Sequence, residues 1–187
     1  DVCSSDLWPW RGCIRGYAVP QQLLTKPRFK ALFVDAAGTL VYPAQPVTEI
    51  YQRYALKHGV DVTESEILRG YREAFARPPL RDLWSSRNLR YVGDGRDFWR
   101  HVIFKATGCD SESLVEDMYR YYERRDAWTV PPDAYDAFVR LKRHSVKIVV
   151  VSNFDTRLRP LLETLGFKDV FDAVVVSAEV EMEKPNP

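Results

Sequence analysis

Three stretches of the chain are apolar with little alternation and end in polar residues. Ala31-Leu32-Phe33-Val34 runs into Asp35, Val146 to Val151 runs into Ser152-Asn153, and Phe171 to Val176 runs into Ser177. Short unbroken apolar runs predict strands buried on both faces, as in a parallel sheet. Between the second and third runs, Leu158, Leu161, Leu162 and Leu165 recur at helical spacing, and Gly166 supplies a stop. Before the second, Pro132 to Arg143 predicts a helix with a proline start and with Tyr135, Phe138 and Leu141 on one face. Strand, long insertion, helix, strand, helix, strand is the order of an α/β fold: a doubly wound, parallel, Rossmann-like sheet with right-handed crossovers.

The insertion, residues 42–130, is expected to be helical throughout. Ile50, Tyr51, Tyr54 and Leu56 mark one helix, closed by Gly59. Thr63-Glu64-Ser65-Glu66 has the form of a capping box ahead of Ile67, Leu68, Tyr71 and Phe75. Phe98, Val102 and Phe104 mark a third helix, closed by Gly108, and Leu114, Met118, Tyr121 and Tyr122 a fourth, opened by Ser111 or Ser113. The size of this module makes it a second domain, so the expected division is 29–41 with 131–187 as the α/β core and 42–130 as the helical module. Its aromatics, at helical spacing, read as core. Residues 1–28 lack a sustained period and a continuous apolar stretch. They read as an unstructured tail, or as sequence foreign to the natural protein.

Composition narrows the function classes. Of the 187 residues 27 are basic and 26 acidic, a formal net charge of +1, which supplies no global field for nucleic acid or an anionic membrane surface. Cys3, Cys13 and Cys109 are an odd set with no metal-like spacing, pointing to a reducing compartment such as the cytoplasm. The remaining expectation is a small-molecule partner.

Ligands of open α/β sheets bind beyond the carboxyl ends of the strands. Asp35, Ser152-Asn153 and Lys184 would share that crevice. A carboxylate can attack phosphorus to give an acyl phosphate, provided that the phosphoryl charge is screened. Hydroxyl and amide donors can hold the phosphoryl oxygens, and a lysine is a movable point charge. Each group also has an ordinary structural reading: Asp before Gly-Thr as a turn residue, Ser-Asn as a helix cap, Lys as a solvated side chain. Arg87, Arg90 and Arg96 around Gly93-Asp94-Gly95 read as a solvated basic loop, and His58, His101 and His144 have no spacing suited to a site.

Asp35-Ala36-Ala37-Gly38-Thr39-Leu40, Ser152-Asn153-Phe154-Asp155 and Glu183-Lys184-Pro185-Asn186-Pro187 resemble, in order, motifs I, II and III of the haloacid dehalogenase-like hydrolase superfamily. The helical insertion resembles its C1 cap, and the Ser-Asn-Phe-Asp form is similar to the subgroup of haloacid dehalogenase-like hydrolase domain-containing protein 3. The resemblance implies a hydrolase, phosphatase-like, acting on a small phosphorylated metabolite. Asp35 would be nucleophile and Mg²⁺ ligand, Ala37 a backbone-carbonyl ligand, and Thr39, Ser152 and Asn153 the substrate binders. Lys184 would be the catalytic cation. Phosphatases of the superfamily carry an aspartate as general acid/base where Ala37 stands, a loss worth about 10²- to 10⁴-fold in rate. That departure opens two alternatives: a catalytically reduced phosphate- or partner-binding protein, and a haloacid dehalogenase-type activity. The acidic motif IV, which completes the Mg²⁺ site in the superfamily, would lie beyond Pro187. Residues 1–187 are therefore expected to be an inactive fragment on their own.

Overall fold

The computed structural model describes residues 29–76 and 89–184; the expectations for residues 1–28 and for Arg87 lie outside them. Strand β1 (Ala31–Val34) leads through a turn into β2 (Tyr42–Pro43). Four helices follow: α1 (Val47–Lys57), α2 (Glu64–Ala76), α3 (Arg96–Thr107) and α4 (Glu112–Glu123). Strand β3 (Trp128–Thr129) pairs antiparallel with β2, and α5 (Ala134–Arg143), β4 (Lys147–Ser152), α6 (Leu158–Thr164), β5 (Ala173–Val176) and α7 (Ser177–Val180) complete the order.

The three apolar runs form one parallel sheet in the order β1-β4-β5, with Val34 opposite Val150 and Ser152 opposite Val176. Two right-handed crossovers in the same direction put α5 and α6 on one face. There Phe138, Leu158 and Leu162 pack on Ile148, Val150 and Val176. Phe33, on the other face, is 70% exposed. Asp172 fixes where β5 starts beside β4. Its carboxylate accepts from the Ile148 N–H and from Lys147 Nζ, both at 2.9 Å, while its own N–H donates to Ile148 O. Those bonds, the Ile148 N–H first, hold the Asp172 pKa below the usual carboxylate value.

The expectation that residues 42–130 are helical throughout is corrected at both ends. Tyr42–Pro43 and Trp128–Thr129 are paired strands, because proline removes a helical donor and Trp-Thr-Val favours an extended backbone. The pair ties the entrance of the insertion to its exit. Inside it the helical assignments stand. Thr63 N–H donates to Glu66 Oε2 at 2.9 Å and Glu66 N–H to Thr63 Oγ1 at 3.3 Å, a capping box, and Ser111 caps α4. Leu56, Phe104 and Tyr135 are exposed, off the faces assigned to them. The buried stripes run instead through Ile50, Tyr51 and Ala55 in α1 and Phe98, Val102 and Ala106 in α3. Gly70 lets α2 and α3 meet at the backbone: a Cβ there would lie 1.9 Å from Lys105 O.

Candidate active site

Asp35 follows β1 and Ser152 ends β4; because these strands are parallel neighbours, both residues emerge at the same end of the sheet. Lys184 arrives there from the segment after α7. Its Nζ donates to Asp35 Oδ1 at 2.9 Å and to Val151 O at 2.6 Å. The lysine and aspartate side chains are 44% and 41% exposed. An ion pair this wet contributes about 1 kcal/mol at most, so stability does not account for three sequence-distant groups being fixed together.

Asn153, expected to bind substrate, lines the cavity. Its Nδ2 donates to Lys184 O and its Oδ1 accepts from Lys184 N–H, both at 2.7 Å. These bonds position the lysine segment, and the amide keeps a second N–H for a ligand. Thr39 is the other expected substrate binder of the first loop. The 36–41 turn closes on itself, with Leu40 and Val41 N–H both donating to Ala36 O, and this leaves Thr39 exposed and outside the cavity wall. Ser152, also expected to bind substrate, lines the cavity. Its Oγ is buried and without a hydrogen-bond partner, a costly state for a hydroxyl (about 1–3 kcal/mol) that a ligand oxygen would relieve. Ala37 lines the same cavity and offers no titratable group.

The loop after Ser152 docks onto the insertion. Asp155 is fully buried and accepts from Trp99 Nε1 at 2.9 Å and from Arg157 Nε and Nη2 at 2.9 and 2.7 Å. The Arg157 guanidinium lies 3.8 Å from the centre of the Tyr119 ring, a cation–π contact. Burial by itself would lower the Arg157 pKa; the Asp155 carboxylate outweighs it and holds the group above its usual value. Gly95 makes the approach possible, since a Cβ there would sit 2.8 Å from Asp155 Cβ, and Thr156 N–H donates to Gly93 O. The Arg90 N–H donates to the carboxylate of Glu183, next to Lys184.

Between the two regions lies a cavity of about 260 Å³ lined by Asp35, Ser152 and Lys184 on the sheet side. Opposite are rings, among them Phe75, Tyr91, Trp99, Tyr122 and Trp128. The aromatics of the insertion do form core, with Tyr51, Tyr71, Tyr91 and Phe98 in one packed cluster. Tyr51, Tyr71 and Tyr91 also border the cavity, and helical spacing does not distinguish a ring that meets only the core from one that also meets a cavity. The basic-loop reading is corrected. Arg90 lines the cavity with its Nε buried and unpartnered, 5.4 Å from the Phe75 ring centre to its guanidinium carbon, whereas Arg96 pairs with Glu116. Burial raises the Tyr71, Tyr91 and Tyr122 pKa values well above the phenol range, so these hydroxyls stay protonated donors.

Mg²⁺ asks for an octahedron of oxygen ligands, usually with a carboxylate anchor. Among the described residues no three of His, Cys, Asp and Glu come together as a metal site. Asp35 is the acidic side chain on the cavity wall and is already paired with Lys184, leaving the Ala37 carbonyl as the other expected donor. These donors do not compose a Mg²⁺ site. Among the described residues, also, no helix is long and apolar enough to cross a membrane.

Several known proteins resemble this chain in sequence. Human haloacid dehalogenase-like hydrolase domain-containing protein 3 is 27% identical over 167 residues, covering 86% of this chain and 66% of that protein. Glyceraldehyde 3-phosphate phosphatase of Methanopyrus kandleri is 25% identical over 168 residues, covering 84% of this chain and 66% of that one. The chain thus spans just under two thirds of the length of these relatives. The solved L-2-haloacid dehalogenase of Xanthobacter autotrophicus shares the fold with a TM-score of 0.57 at 24% identity, over 84% of this chain and 60% of its own. Residues 29–187 match the family model for the haloacid dehalogenase-like hydrolases, and the chain belongs to that family.

Proposed function

We propose that the protein hydrolyses a small phosphate ester through a covalent intermediate on Asp35. The observation that carries this reading is the convergence of a carboxylate, a lysine ammonium and an unpartnered buried hydroxyl at one end of the sheet. Asp35 Oδ2, the oxygen not bonded to Lys184, attacks phosphorus, and the bond to the leaving oxygen breaks. Lys184 balances charge on the transferring group, Ser152 Oγ donates to one of its oxygens, and Asn153 keeps the lysine segment in place. Water then cleaves the aspartyl phosphate. The helical insertion acts as a cap, with Asp155 and Trp99 holding it against the site. Phosphatases of the family generally use Mg²⁺.

Asp35→Asn in the complete protein is expected to lower kcat for an activated phosphate ester by about 10⁴-fold or more, as loss of a nucleophile does, with the fold kept. Undiminished turnover would overturn the assignment. Ala37 supports a second reading, dehalogenation, in which Asp35 attacks carbon and the halide leaves without a proton. Halide release from 2-chloropropionate, insensitive to a chelator, would favour it over phosphate-ester hydrolysis.

A further inference from the structure

We propose that the substrate is an aryl phosphate, a phosphate ester of a phenol rather than of an alkanol or sugar. This rests on the phosphate-ester reading above and narrows it. Two independent observations point the same way. The first is the wall. A cavity of about 150 Å³ with apolar walls holds a benzene molecule, so about 260 Å³ accommodates a ring together with a phosphoryl group on the sheet side. The rings that face it are braced against one another and do not depend on a ligand for their placement. Phe75 lies 4.7 Å from Tyr71 and 5.1 Å from Phe98, and Tyr91 lies 5.1 Å from Phe98, 6.1 Å from Trp99 and 6.3 Å from Phe154, all between ring centres. A flat apolar body is matched by this wall. The several hydroxyls of a sugar or triose would lose water there with few partners to replace it.

The second observation is Ala37. No carboxylic acid stands two residues after Asp35, Asp35 is the acidic side chain lining the cavity among the described residues, and burial makes the wall tyrosines weaker acids than a free phenol. An alkoxide, whose conjugate acid is a far weaker acid than a phenol, needs a proton as it departs. A phenolate, with a pKa of about 10, leaves without one. The balance is then complete with water as the sole co-reactant. Asp35 forms its bond to phosphorus as the P–O(aryl) bond breaks, and the phenolate takes the electron pair and later a proton from solvent. Water hydrolyses the aspartyl phosphate to inorganic phosphate. The unpartnered Arg90 Nε and Tyr122 hydroxyl on the wall would accept a polar ring substituent.

The test separates ring recognition from leaving-group reactivity. Binding of phenyl phosphate, glycerol 3-phosphate and inorganic phosphate to the complete protein carrying Asp35→Asn is measured by calorimetry. Phenyl phosphate is expected to bind at least tenfold more tightly than the other two. In steady-state kinetics of the wild type, kcat/KM is expected to favour phenyl phosphate over glycerol 3-phosphate by at least 100-fold, and Ala37→Asp to narrow that ratio by accelerating the alkyl ester. Equal binding, or equal kcat/KM with turnover still lost in Asp35→Asn, overturns the aryl inference and leaves the phosphate-ester reading standing. Failure of every ester to bind or turn over, with halide released from 2-chloropropionate instead, overturns both.

Discussion

The sheet side and the insertion side of the cavity are built by different means. On the sheet side, polar groups are fixed through the main chain: Lys184 by the Asn153 amide on its own N–H and C=O and by Val151 O, and Asp35 by the register of β1 against β4. On the insertion side, the wall is held by ring stacking and helix packing, with Gly70 letting α2 and α3 touch and Asp155 fastening Trp99 from below. Charges that must meet a reacting atom within a few tenths of an ångström need the first kind of construction. A surface that selects by shape and polarity is satisfied by the second. In the function proposed above, reaction type resides on the sheet and ligand choice on the insertion.

Three variants probe that division, taken from the largest expected effect down. Asp155→Ala leaves the Arg157 guanidinium buried without its partner and Trp99 Nε1 without an acceptor. A loss of about 3–5 kcal/mol in denaturant unfolding is expected. A loss under 1 kcal/mol would mean that the loop and the insertion are not fastened here. Gly70→Ala forces α2 from α3, because the new Cβ meets the Lys105 carbonyl, and is expected to cost about 3 kcal/mol. The change should lower the thermal midpoint and, if the two regions are separable, disturb aryl binding more than binding of inorganic phosphate. The smallest effect concerns Asp172, which braces the sheet far from the cavity. Its pKa is depressed in the folded chain, so its stabilising effect is present above the ordinary carboxylate value near 3.8 and is lost as pH falls through the folded value. Asp172→Asn should thus be less stable than wild type at pH 6, and the gap should close below pH 4 with activity at neutral pH unaffected. A gap constant across that range would contradict the assigned ion pair and backbone bonds.

The sheet side was legible in the sequence because its chemistry is tied to strand ends. An apolar run followed at once by Asp35 or by Ser152-Asn153 states both the element and the direction in which the side chain emerges. Even there, the bonds of the Asn153 amide to the lysine segment and the outward turn of Thr39 depend on hydrogen bonds made by residues 31 positions away in one case and within a six-residue loop in the other. The insertion was legible as helices but not as a wall. Phe75 and Trp99 lie on helices as Phe98 does, and only the packing of α2 against α3 and of the loop at Gly95 decides which ring is enclosed and which borders the cavity. Arg90 looked like a solvated arginine for the same reason: its neighbours in space come from Phe75 and Glu183, not from its own loop.

The central claim, that Asp35 is the attacking group, is tested most directly by trapping. The complete protein is mixed with phenyl phosphate carrying radiolabelled phosphorus, quenched in acid during turnover, digested and mapped. Label is expected on the peptide containing Asp35, removable by hydroxylamine and absent from Asp35→Asn. Steady turnover with that peptide unlabelled, or label on any other residue, would contradict it.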